Sequence, residues 1–502
     1  MSEPIHGIEF SIPKHPPRTA AAVILVREGS RREVFWVRRG KNVSFSRGYH
    51  AFPGGAVDPA DAEIAIHGAD GPEAQRRVSA LRELYEETGV LLAPGAQDID
   101  QETIDHQRRN LLDGAPFNQI LEQLGVHLDA NVLVPAGRWL TPPISPIRFD
   151  TFFYMAVVSS DVVATVIPGE LAGGEWIEPA AALARWQAGT ALLHPPNRHA
   201  LSVLAGVGPE DAAVALCNPP HIGTDFVPKR IRFQRGILVH PMRTPTLPPA
   251  EHTHCYLVGT GDYVLIDPGS PWEDEQQHLI ELMNELADEG RRPQRIVLTH
   301  HHADHIGAAR AIADRFNIKI AAHPTTAEKL GIVDEHLTDG DVIEIAGPMP
   351  MRLHVLTTEG HADGHLCFQD EGSGAVFVGD LLAGGSTIVL DPPEGKLALY
   401  LQSLERLEGR EPTTLYPAHG HAIPDGPKEI ARYIAHRIAR MEALAEAVLE
   451  GVTDLQDLVA KVYADTPIPL HPVAERSALA SLIELEQRGI IAKENERWIP
   501  TN

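Results

Sequence analysis

Thr299-His300-His301-His302-Ala303-Asp304-His305 is the stretch that decides the fold of the second half of this chain. It follows a short apolar run, Arg295 to Leu298, which we predict to be a buried strand. Imidazole and carboxylate together suit zinc, and a catalytic zinc takes three protein ligands and keeps one position open for water. The stretch therefore predicts part of a zinc site whose remaining ligands come from further along the chain.

Three more candidate ligands follow in order, each after a segment that predicts the end of a strand. They are His361 in Thr358-Glu359-Gly360-His361, Asp380 in Phe377-Val378-Gly379-Asp380, and His419 in Tyr416-Pro417-Ala418-His419-Gly420. This series resembles the metallo-β-lactamase superfamily, and the resemblance extends from Arg232 to Asp425. Leu265-Ile266-Asp267-Pro268-Gly269 and the paired Gly360-His361 and Gly364-His365 agree with it.

The resemblance implies an αββα sandwich that holds two zinc ions. It implies one zinc on His300, His302 and His361, a second on Asp304, His305 and His419, and Asp380 as a bridge between them. We expect His301 to be a loop residue, His365 to lie behind the ligands and Asp267 to orient one of them. Two such metal ions lower the pKa of a shared water to about 7 and polarise an ester, thioester or phosphodiester. The expected reaction is hydrolysis, with Asp304 in the catalytic centre.

A second motif lies far upstream, where Ala51-Phe52-Pro53-Gly54-Gly55 precedes Arg82-Glu83-Leu84-Tyr85-Glu86-Glu87-Thr88-Gly89-Val90. On a helix, Glu83, Glu86 and Glu87 share one face. Neighbouring carboxylates repel one another unless they bind a hard cation or meet basic groups, and magnesium prefers such oxygen ligands. Gly89 is placed to end the helix.

These residues resemble the Nudix box, whose family hydrolyses a nucleoside diphosphate linked to another group. The resemblance implies Glu83, Glu86 and Glu87 as ligands of Mg²⁺ or Mn²⁺, catalytic roles for Glu83 and Glu87, and Arg82 as their charge partner. Asp61 stands where the family has its first glutamate, and additional residues separate it from Arg82, so the role of Asp61 stays open.

Two further features refine this second resemblance. Arg47-Gly48-Tyr49-His50 and the insertion inside the box resemble the Nudix subgroup of coenzyme A diphosphatases. Glu170 is a candidate for a further metal ligand or a general base, with a surface glutamate as the alternative.

The length of 502 residues predicts more than one hydrophobic core. We expect an α/β and α+β multidomain protein with a Nudix α/β/α sandwich over residues 1–215, a metallo-β-lactamase αββα sandwich over 216–425, and a small winged-helix-like module over 426–502. The first boundary rests on the glycine and proline residues of Gly206 to Pro209 and Asn218 to Gly223. In the last module, apolar residues at helical spacing from Ile430 through Ile438 to Val448 predict a packing helix.

The last module and the stretch Tyr433-Ile434-Ala435-His436-Arg437 resemble a β-lactamase-like subgroup that includes an endoribonuclease and thioesterases. The charge disfavours RNA, since the chain has 43 basic and 68 acidic residues and a formal net charge of −25. A basic strip from Lys229 to Arg235 is the exception. Beside the zinc cleft it would favour RNA, whereas at the domain boundary it would not.

Three functions follow. The first is a bifunctional hydrolase that acts on small-molecule nucleotide or coenzyme A-type substrates, with ester or thioester cleavage at zinc and diphosphate cleavage at magnesium. The second is an RNA-processing enzyme with a zinc-dependent endoribonuclease domain and a Nudix domain that trims nucleotide ends. The third is a protein in which one domain is inactive and serves as a sensor or scaffold, and a homodimer is compatible with all three.

Three cysteines, Cys217, Cys255 and Cys367, are too few and too dispersed for a disulfide framework or a cysteine zinc site. The apolar run Ala20 to Val26 is shorter than a membrane span and is expected to be a strand. We therefore expect a cytoplasmic protein without a membrane partner.

Overall fold

A computed structural model describes residues 17–40, 48–141, 148–187, 190–217, 231–248 and 250–501, with the backbone alone described at 232 and 233. Contacts divide the chain into two compact units, one centred on His15–Val227 and the other on Gly236–Asn502. Two of the segments singled out above, Asn218 to Gly223 and the start of the basic strip at Lys229 and Arg230, lie outside the described residues. The domain boundaries and the position of that strip therefore stay predictions.

The first unit is built on one large sheet with helices on both faces. Its strands are β1 (Arg18–Glu28), β2 (Arg32–Arg39), β3 (Tyr49–Ala51), β4 (Gly54–Ala56), β5 (Ile66–His67), β6 (Leu128–Asp129), β7 (Val134–Leu140), β8 (Phe149–Val158), β9 (Leu171–Ile177) and β10 (Leu192–Leu193). Its helices are α1 (Gly71–Thr88), α2 (Gln101–Leu112), α3 (Phe117–Leu124), α4 (Pro179–Gln187), α5 (Pro195–Gly206) and α6 (Pro209–Leu216). The strand order in the large sheet is β10-β3-β2-β1-β8-β7, with β4 added to β1 and β9 added to β2.

Strand β1 lies in the middle of this sheet, parallel to β8 and antiparallel to β2. Its alternate residues point to opposite faces, so that Val23 packs in the core formed with α1 while Ile24 packs in the core formed with α4, α5 and α6. Because both faces are covered by helices, the strand is apolar along most of its length. The predicted α/β/α sandwich is confirmed.

Helix α1 carries the three glutamates and is fixed near its C-terminal end. Gly89 adopts φ 75°, a left-handed conformation that suits glycine, and its N–H donates to the carbonyl of Tyr85 at 2.8 Å. The buried guanidinium of Arg108 from α2 donates through Nε to the carbonyl of Glu86 at 2.9 Å. The hydroxyl of Tyr85 donates to the carbonyl of Ile104 at 2.6 Å. Helix α2 therefore holds the end of the helix that bears the carboxylates.

A short strand, β11 (Ile231–Gln234), precedes the second unit, which is built on two facing sheets. Its other strands are β12 (Ile237–Arg243), β13 (His252–Val258), β14 (Tyr263–Ile266), β15 (Pro293–Val297), β16 (Lys319–Ala322), β17 (Glu335–His336), β18 (Val342–Ile345), β19 (Met351–Thr357), β20 (Leu366–Asp370), β21 (Val376–Gly379), β22 (Thr414–Pro417), β23 (Ile423–Pro424), β24 (Ile491–Glu494) and β25 (Arg497–Pro500). Its helices are α7 (Glu273–Asp288), α8 (Ala303–Ile306), α9 (Ala309–Phe316), α10 (Pro324–Leu330), α11 (Leu397–Glu408), α12 (Gly426–Leu449), α13 (Leu455–Val462) and α14 (His471–Gln487).

The two sheets run in the orders β12-β13-β14-β15-β16-β17 and β18-β19-β20-β21-β22-β23. Tyr256 of β13 packs edge-on against Phe377 of β21 and Tyr416 of β22, with ring centroids 5.1 and 5.8 Å away. Helices α7 and α9 pack on the first sheet, and α11 and α12 pack on the second. The predicted αββα sandwich is confirmed.

The residues after β23 form a small module of three helices and the hairpin β24-β25. Leu444, Leu482 and Trp498 of this module share one core with Leu404 and Leu415 of the sandwich. Ile430 and Leu444 of α12 are buried as the helical spacing predicts, whereas Ile438 is 36% exposed and lies outside the packed face. No helix among the described residues combines the length and the apolar character that a membrane span requires.

Candidate metal centres

The predicted zinc ligands of the second unit follow the ends of strands in the two facing sheets. His300 and His302 come after β15, His361 after β19, Asp380 directly after β21, and His419 after β22. Strand ends place short loops at one edge of each sheet, and side chains distant in sequence meet there. Asp304 and His305 belong to the short helix α8 that continues the histidine stretch.

Three histidines converge at a point that we call site M1. His300 Nε2 lies 3.0 Å from His302 Nδ1, and His302 Nδ1 lies 3.1 Å from His361 Nε2. Three ring nitrogens at these separations match the ligand atoms around a single small cation.

Asp304, His305 and His419 form a second group, which we call site M2. His419 Nε2 lies 3.4 Å from Asp304 Oδ2, and His305 Nε2 lies 3.9 Å from the same oxygen. Asp380 stands between the two sites. Its Oδ2 is 3.5 Å from His361 Nε2 in M1, and its Oδ1 is 3.3 Å from His419 Nε2 in M2. One carboxylate therefore offers one oxygen to each site.

The outward-facing ring nitrogens are held by neighbouring groups, and this leaves the inward-facing nitrogens free to bind a cation. His361 Nδ1 donates to the carbonyl of Val389 at 2.9 Å, and His419 Nδ1 donates to the carbonyl of His252 at 2.9 Å. His305 Nδ1 lies 2.8 Å from the carboxylate of Asp267. Each of these contacts keeps a proton on Nδ1 and turns Nε2 toward the candidate cation position.

Thr299 completes this outer layer. Its hydroxyl donates to Asp267 at 2.6 Å, so its oxygen is left to accept the Nδ1–H of His300 at 2.9 Å. His365, which is buried, contacts the hydroxyl of Thr358 at 2.9 Å and accepts the backbone N–H of Asp380 at 3.2 Å. Asp267 and His365 thus lie behind the candidate ligands, where the sequence placed them.

Two buried polar atoms at M2 indicate that a cation fits between the sites. Within the described part of the chain, His305 Nε2 and Asp380 Oδ1 have no hydrogen-bond partner. Burial of an unpaired polar group is costly, and a divalent cation would satisfy both atoms at once. The donor set of five imidazoles and two carboxylates is a set that suits zinc.

The charges of the two carboxylates divide the histidines into two classes. Burial lowers the pKa of His361 to about 4, and burial likewise lowers the pKa of His300, so these two rings of M1 are neutral. Burial alone would also lower the pKa of His419, yet Asp380 and Asp304 outweigh it and raise this pKa to about 10. Burial is similarly outweighed at His305, where Asp380, Asp304 and Asp267 raise the pKa. Site M2 therefore holds protons that a metal ion must displace.

One carboxylate beside M1 was missed by the sequence. Glu394 lies 3.3 Å from His301 Nε2 and 3.7 Å from His302 Nε2, and it accepts the backbone N–H of Asp363 at 2.9 Å. It also pairs with Lys329. No spacing rule marks Glu394, because it stands in an irregular proline-containing loop. His301 lies in a loop, as expected, and contacts Glu394 there.

In the first unit, Asp61 forms an ion pair with Arg82, and both of its carboxylate oxygens accept hydrogen bonds from protein groups. Its two oxygens accept from Arg82 Nε and Nη2 at 2.8 and 3.0 Å, and one of them also accepts the backbone N–H of Asp58 at 3.0 Å. From Asp61 to Arg82 the chain completes the 3-10 helix Pro59–Glu63, forms the short strand β5 and enters α1. The insertion therefore lengthens the approach to the box helix and preserves the carboxylate–guanidinium pair.

Glu83 and Glu87 face Gly54 and Gly55 of strand β4. Glu87 accepts the N–H of Gly54 at 2.9 Å, and a Cβ on Gly55 would lie 2.5 Å from the carboxylate of Glu83. Burial raises the pKa of Glu83 to about 7 and also raises that of Glu87. These carboxylates suit a hard cation, which would relieve their burial.

Glu86 lies further from this pair. Arg82 donates to Glu83 at 2.9 Å and to Glu86 at 3.3 Å, and so stands between them. The three glutamates do not form a closed cluster of ligand atoms among the described residues. Glu170 pairs with Arg39 at 3.2 Å, and its side chain is 66% exposed.

Comparisons with known proteins place both motifs in recognised families. The chain matches the metallo-beta-lactamase superfamily over residues 248–419 and the beta-lactamase associated winged helix domain over 455–498. It matches the NUDIX domain over residues 16–106 and the NUDT19 Nudix domain over 71–204.

Three relatives illustrate the two halves. The chain is 28% identical over 257 residues to a Beta-lactamase-like protein 2 homolog of Caenorhabditis elegans. The aligned residues are 49% of this chain and 84% of that relative. It is 30% identical over 226 residues to an Atrochrysone carboxyl ACP thioesterase of Aspergillus chevalieri, and the alignment covers 43% of this chain and 69% of that relative. It is 30% identical over 253 residues to a Caenorhabditis elegans protein named as a Nudix hydrolase, and the alignment covers 50% of this chain and 76% of that relative.

Proposed function

We propose that this chain, which belongs to the Nudix hydrolase family in its first half and to the metallo-β-lactamase superfamily in its second half, is a bifunctional metal-dependent hydrolase. Membership in both families makes it a hydrolase, and the two resemblances drawn from the motifs are confirmed. The proposal concerns the metals, the bonds that are cut and the substrates.

The zinc half is proposed to cut an ester or thioester of an acyl-coenzyme A-like substrate. The observation that carries this proposal is the convergence of M1 and M2 on the two oxygens of Asp380. His300, His302 and His361 would hold one zinc, Asp304, His305 and His419 a second, and Asp380 would bridge them. Two zinc ions bound there would lower the pKa of a shared water and polarise the substrate oxygen. A relative named as a thioesterase supports the thioester among the bonds that this fold cuts.

The protein's own part in that reaction is to hold and orient. The carbonyls of Val389 and His252 and the carboxylate of Asp267 fix the rings of the ligand histidines, so the inward nitrogens need no reorganisation. Asp380 is fixed through its backbone N–H by His365. The site is thus preorganised by groups that do not touch the substrate.

The first half is proposed to hydrolyse the diphosphate of a coenzyme A-like nucleotide with Mg²⁺ or Mn²⁺. Glu83, Glu86 and Glu87 are the proposed ligands, and such ions would neutralise the diphosphate and position water. Because burial raises the pKa of Glu83 to about 7, this carboxylate is suited to exchange a proton near neutral pH. Arg82, which is paired with Asp61, donates to both Glu83 and Glu86 and offsets their negative charge.

Metal analysis and a substrate screen on the full-length protein test the proposal. We expect two zinc ions per chain by mass spectrometry after purification without chelator, and turnover of acetyl-coenzyme A and free coenzyme A. ADP-ribose and a short single-stranded RNA complete the screen. RNA cleavage that is lost in His302→Ala, without thioester turnover, would replace the proposal by the RNA-processing function. Absence of all turnover with metals bound would favour a sensor or scaffold.

A further inference from the structure

The loop from Asp380 to Lys396 joins β21 to α11 and has no regular secondary structure. Loops of this length inside a compact unit are uncommon and are usually functional when they are ordered. This loop begins with the residue that stands between the two candidate metal sites. It continues with two groups that contact histidines of M1.

The first of these groups is the carbonyl of Val389, which accepts the Nδ1–H of His361 at 2.9 Å. The second is the carboxylate of Glu394, 3.7 Å from the outer nitrogen of His302 and 3.3 Å from His301. This loop therefore orients His361 through a hydrogen bond and places a carboxylate beside His302. The outer contacts of M2, from Asp267 and from the carbonyl of His252, come from other segments.

The loop has no strand partners along most of its length, and the module of residues 426–502 supplies the contacts that hold it. Ser477 of α14 accepts the backbone N–H of Leu390, the residue after Val389, at 3.2 Å. Arg437 of α12, which is buried, donates to the carbonyl of Ile388, the residue before Val389. The carbonyl that orients His361 is thus fixed on both sides by this module.

Further contacts extend along the same loop. The hydroxyl of Tyr433 of α12 accepts the backbone N–H of Ala383 at 3.0 Å and donates to a carbonyl of the loop. Arg476 of α14 pairs with Asp391. Tyr433 and Arg437 lie one helical turn apart on α12, so both contact the loop from the same face of that helix.

We propose that the winged-helix module is a positioning element of the zinc site: it fixes the loop on both sides of Val389, and through the carbonyl of Val389 it sets the orientation of His361 in M1. This inference rests on the proposed dinuclear site. It assigns Arg437 and Ser477 as positioning residues that act through Val389, and predicts that loss of their contacts weakens M1 and spares M2. Outer contacts of this kind change metal affinity by about 10- to 100-fold.

Zinc affinity of the full-length protein, measured by competition with a chromophoric chelator, tests this inference without using activity. We expect Arg437→Met and Ser477→Ala to lower the affinity of one of the two zinc ions by about 10-fold or more, with the other unchanged. Arg437→Lys retains a donor and is expected to recover most of the loss. In the His302→Ala background, where only M2 is left intact, Arg437→Met should not change the remaining affinity.

Arg440→Met is the matched control, because Arg440 lies on the same helix and contacts Asp465 and the carbonyl of Val462 within the module. It perturbs the module and leaves the loop contacts in place, so both zinc affinities should stay at the wild-type value. Equal effects of Arg440→Met and Arg437→Met, or wild-type affinities in Arg437→Met and Ser477→Ala, would overturn the inference. A wild-type protein that fails to bind two zinc ions would instead overturn the proposed function.

Discussion

The histidines of M1 and M2 show how the protonation of a buried side chain depends on the charges beside it. His361 and His419 are both buried and both donate Nδ1–H to a backbone carbonyl, yet their pKa values shift in opposite directions. Burial governs His361, whereas the carboxylates of Asp380 and Asp304 govern His419. The same side chain is therefore neutral in one site and protonated in the other before any metal binds.

This difference predicts different proton release from the two sites. At pH 7, zinc binding at M2 must displace the protons of His305 and His419, whose pKa values are raised, and should release about two protons. Binding at M1 meets the neutral His300 and His361 and should release far fewer. Isothermal titration calorimetry in buffers of different ionisation enthalpy measures both, and His302→Ala isolates M2. Equal proton release at the two sites would contradict this charge assignment.

At the scale of elements, helix α1 carries largely buried glutamates and is held at two positions along its length. Glu83 and Glu87 face Gly54 and Gly55 of strand β4, Arg82 ties the helix to Asp61, and Arg108 holds its last turn. A helix fixed in this way presents its glutamates at constant positions. The raised pKa values of Glu83 and Glu87 are the consequence of that burial.

Magnesium affinity should follow the protonation of Glu83. Its pKa in the folded protein is about 7 because burial outweighs the attraction of Arg82, so below pH 7 the proton and the cation compete for the carboxylate. We expect affinity to rise by about tenfold per pH unit below pH 7 and to level off above it. Titration with Mn²⁺ followed by electron paramagnetic resonance measures this slope. Glu83→Gln should bind more weakly and with less pH dependence, and a flat wild-type profile would argue against Glu83 as a ligand.

The end of α1 offers a stability test. Gly89→Ala places a side chain at φ 75°, which costs about 1–2 kcal/mol, and its Cβ would lie 3.1 Å from Arg108 Nη1. Gly95→Ala is the control, since Gly95 has φ 89° and nothing within 4 Å of its Cβ position. Urea unfolding should show a larger loss of free energy of unfolding for Gly89→Ala. Equal losses would mean that the contact with Arg108 does not change the free energy of unfolding.

At the scale of the whole molecule, the two units have separate cores and separate metal chemistry. Most candidate ligands of the second unit are imidazoles, whereas the candidate ligands of the first unit are carboxylates. The two proposed reactions therefore draw on different side chains and different cations.

This separation predicts that single substitutions remove one activity at a time. His302→Ala should lower ester or thioester hydrolysis by about 100-fold or more and leave diphosphate hydrolysis near the wild-type rate. Glu87→Gln should lower diphosphate hydrolysis by roughly 10²- to 10⁴-fold and leave the zinc-dependent reaction unchanged. Parallel assays on both variants, with circular dichroism to verify folding, measure the effect. Loss of both activities in either variant would contradict independent sites.

Much of this protein could be predicted from local patterns. The residue types and spacing of the stretch from His300 to His305, and the order of His361, Asp380 and His419 after apolar strands, identified the metallo-β-lactamase superfamily and its αββα sandwich. The spacing of Glu83, Glu86 and Glu87 identified the other half. These features are periodic or contiguous, and backbone geometry alone determines which face they share.

Other parts of the site depend on contacts between segments with no common period. Only the folded chain brings Asp61 to Arg82, Glu394 to His302, and the carbonyl of Val389 between Arg437 and Ser477. Such contacts join residues far apart in sequence and involve backbone atoms that every residue possesses, so no residue type marks them in advance. The sequence by itself thus determined the candidate ligands and the families. Tertiary packing alone decided what surrounds each ligand, because burial, charge and hydrogen bonding are properties of neighbours in space.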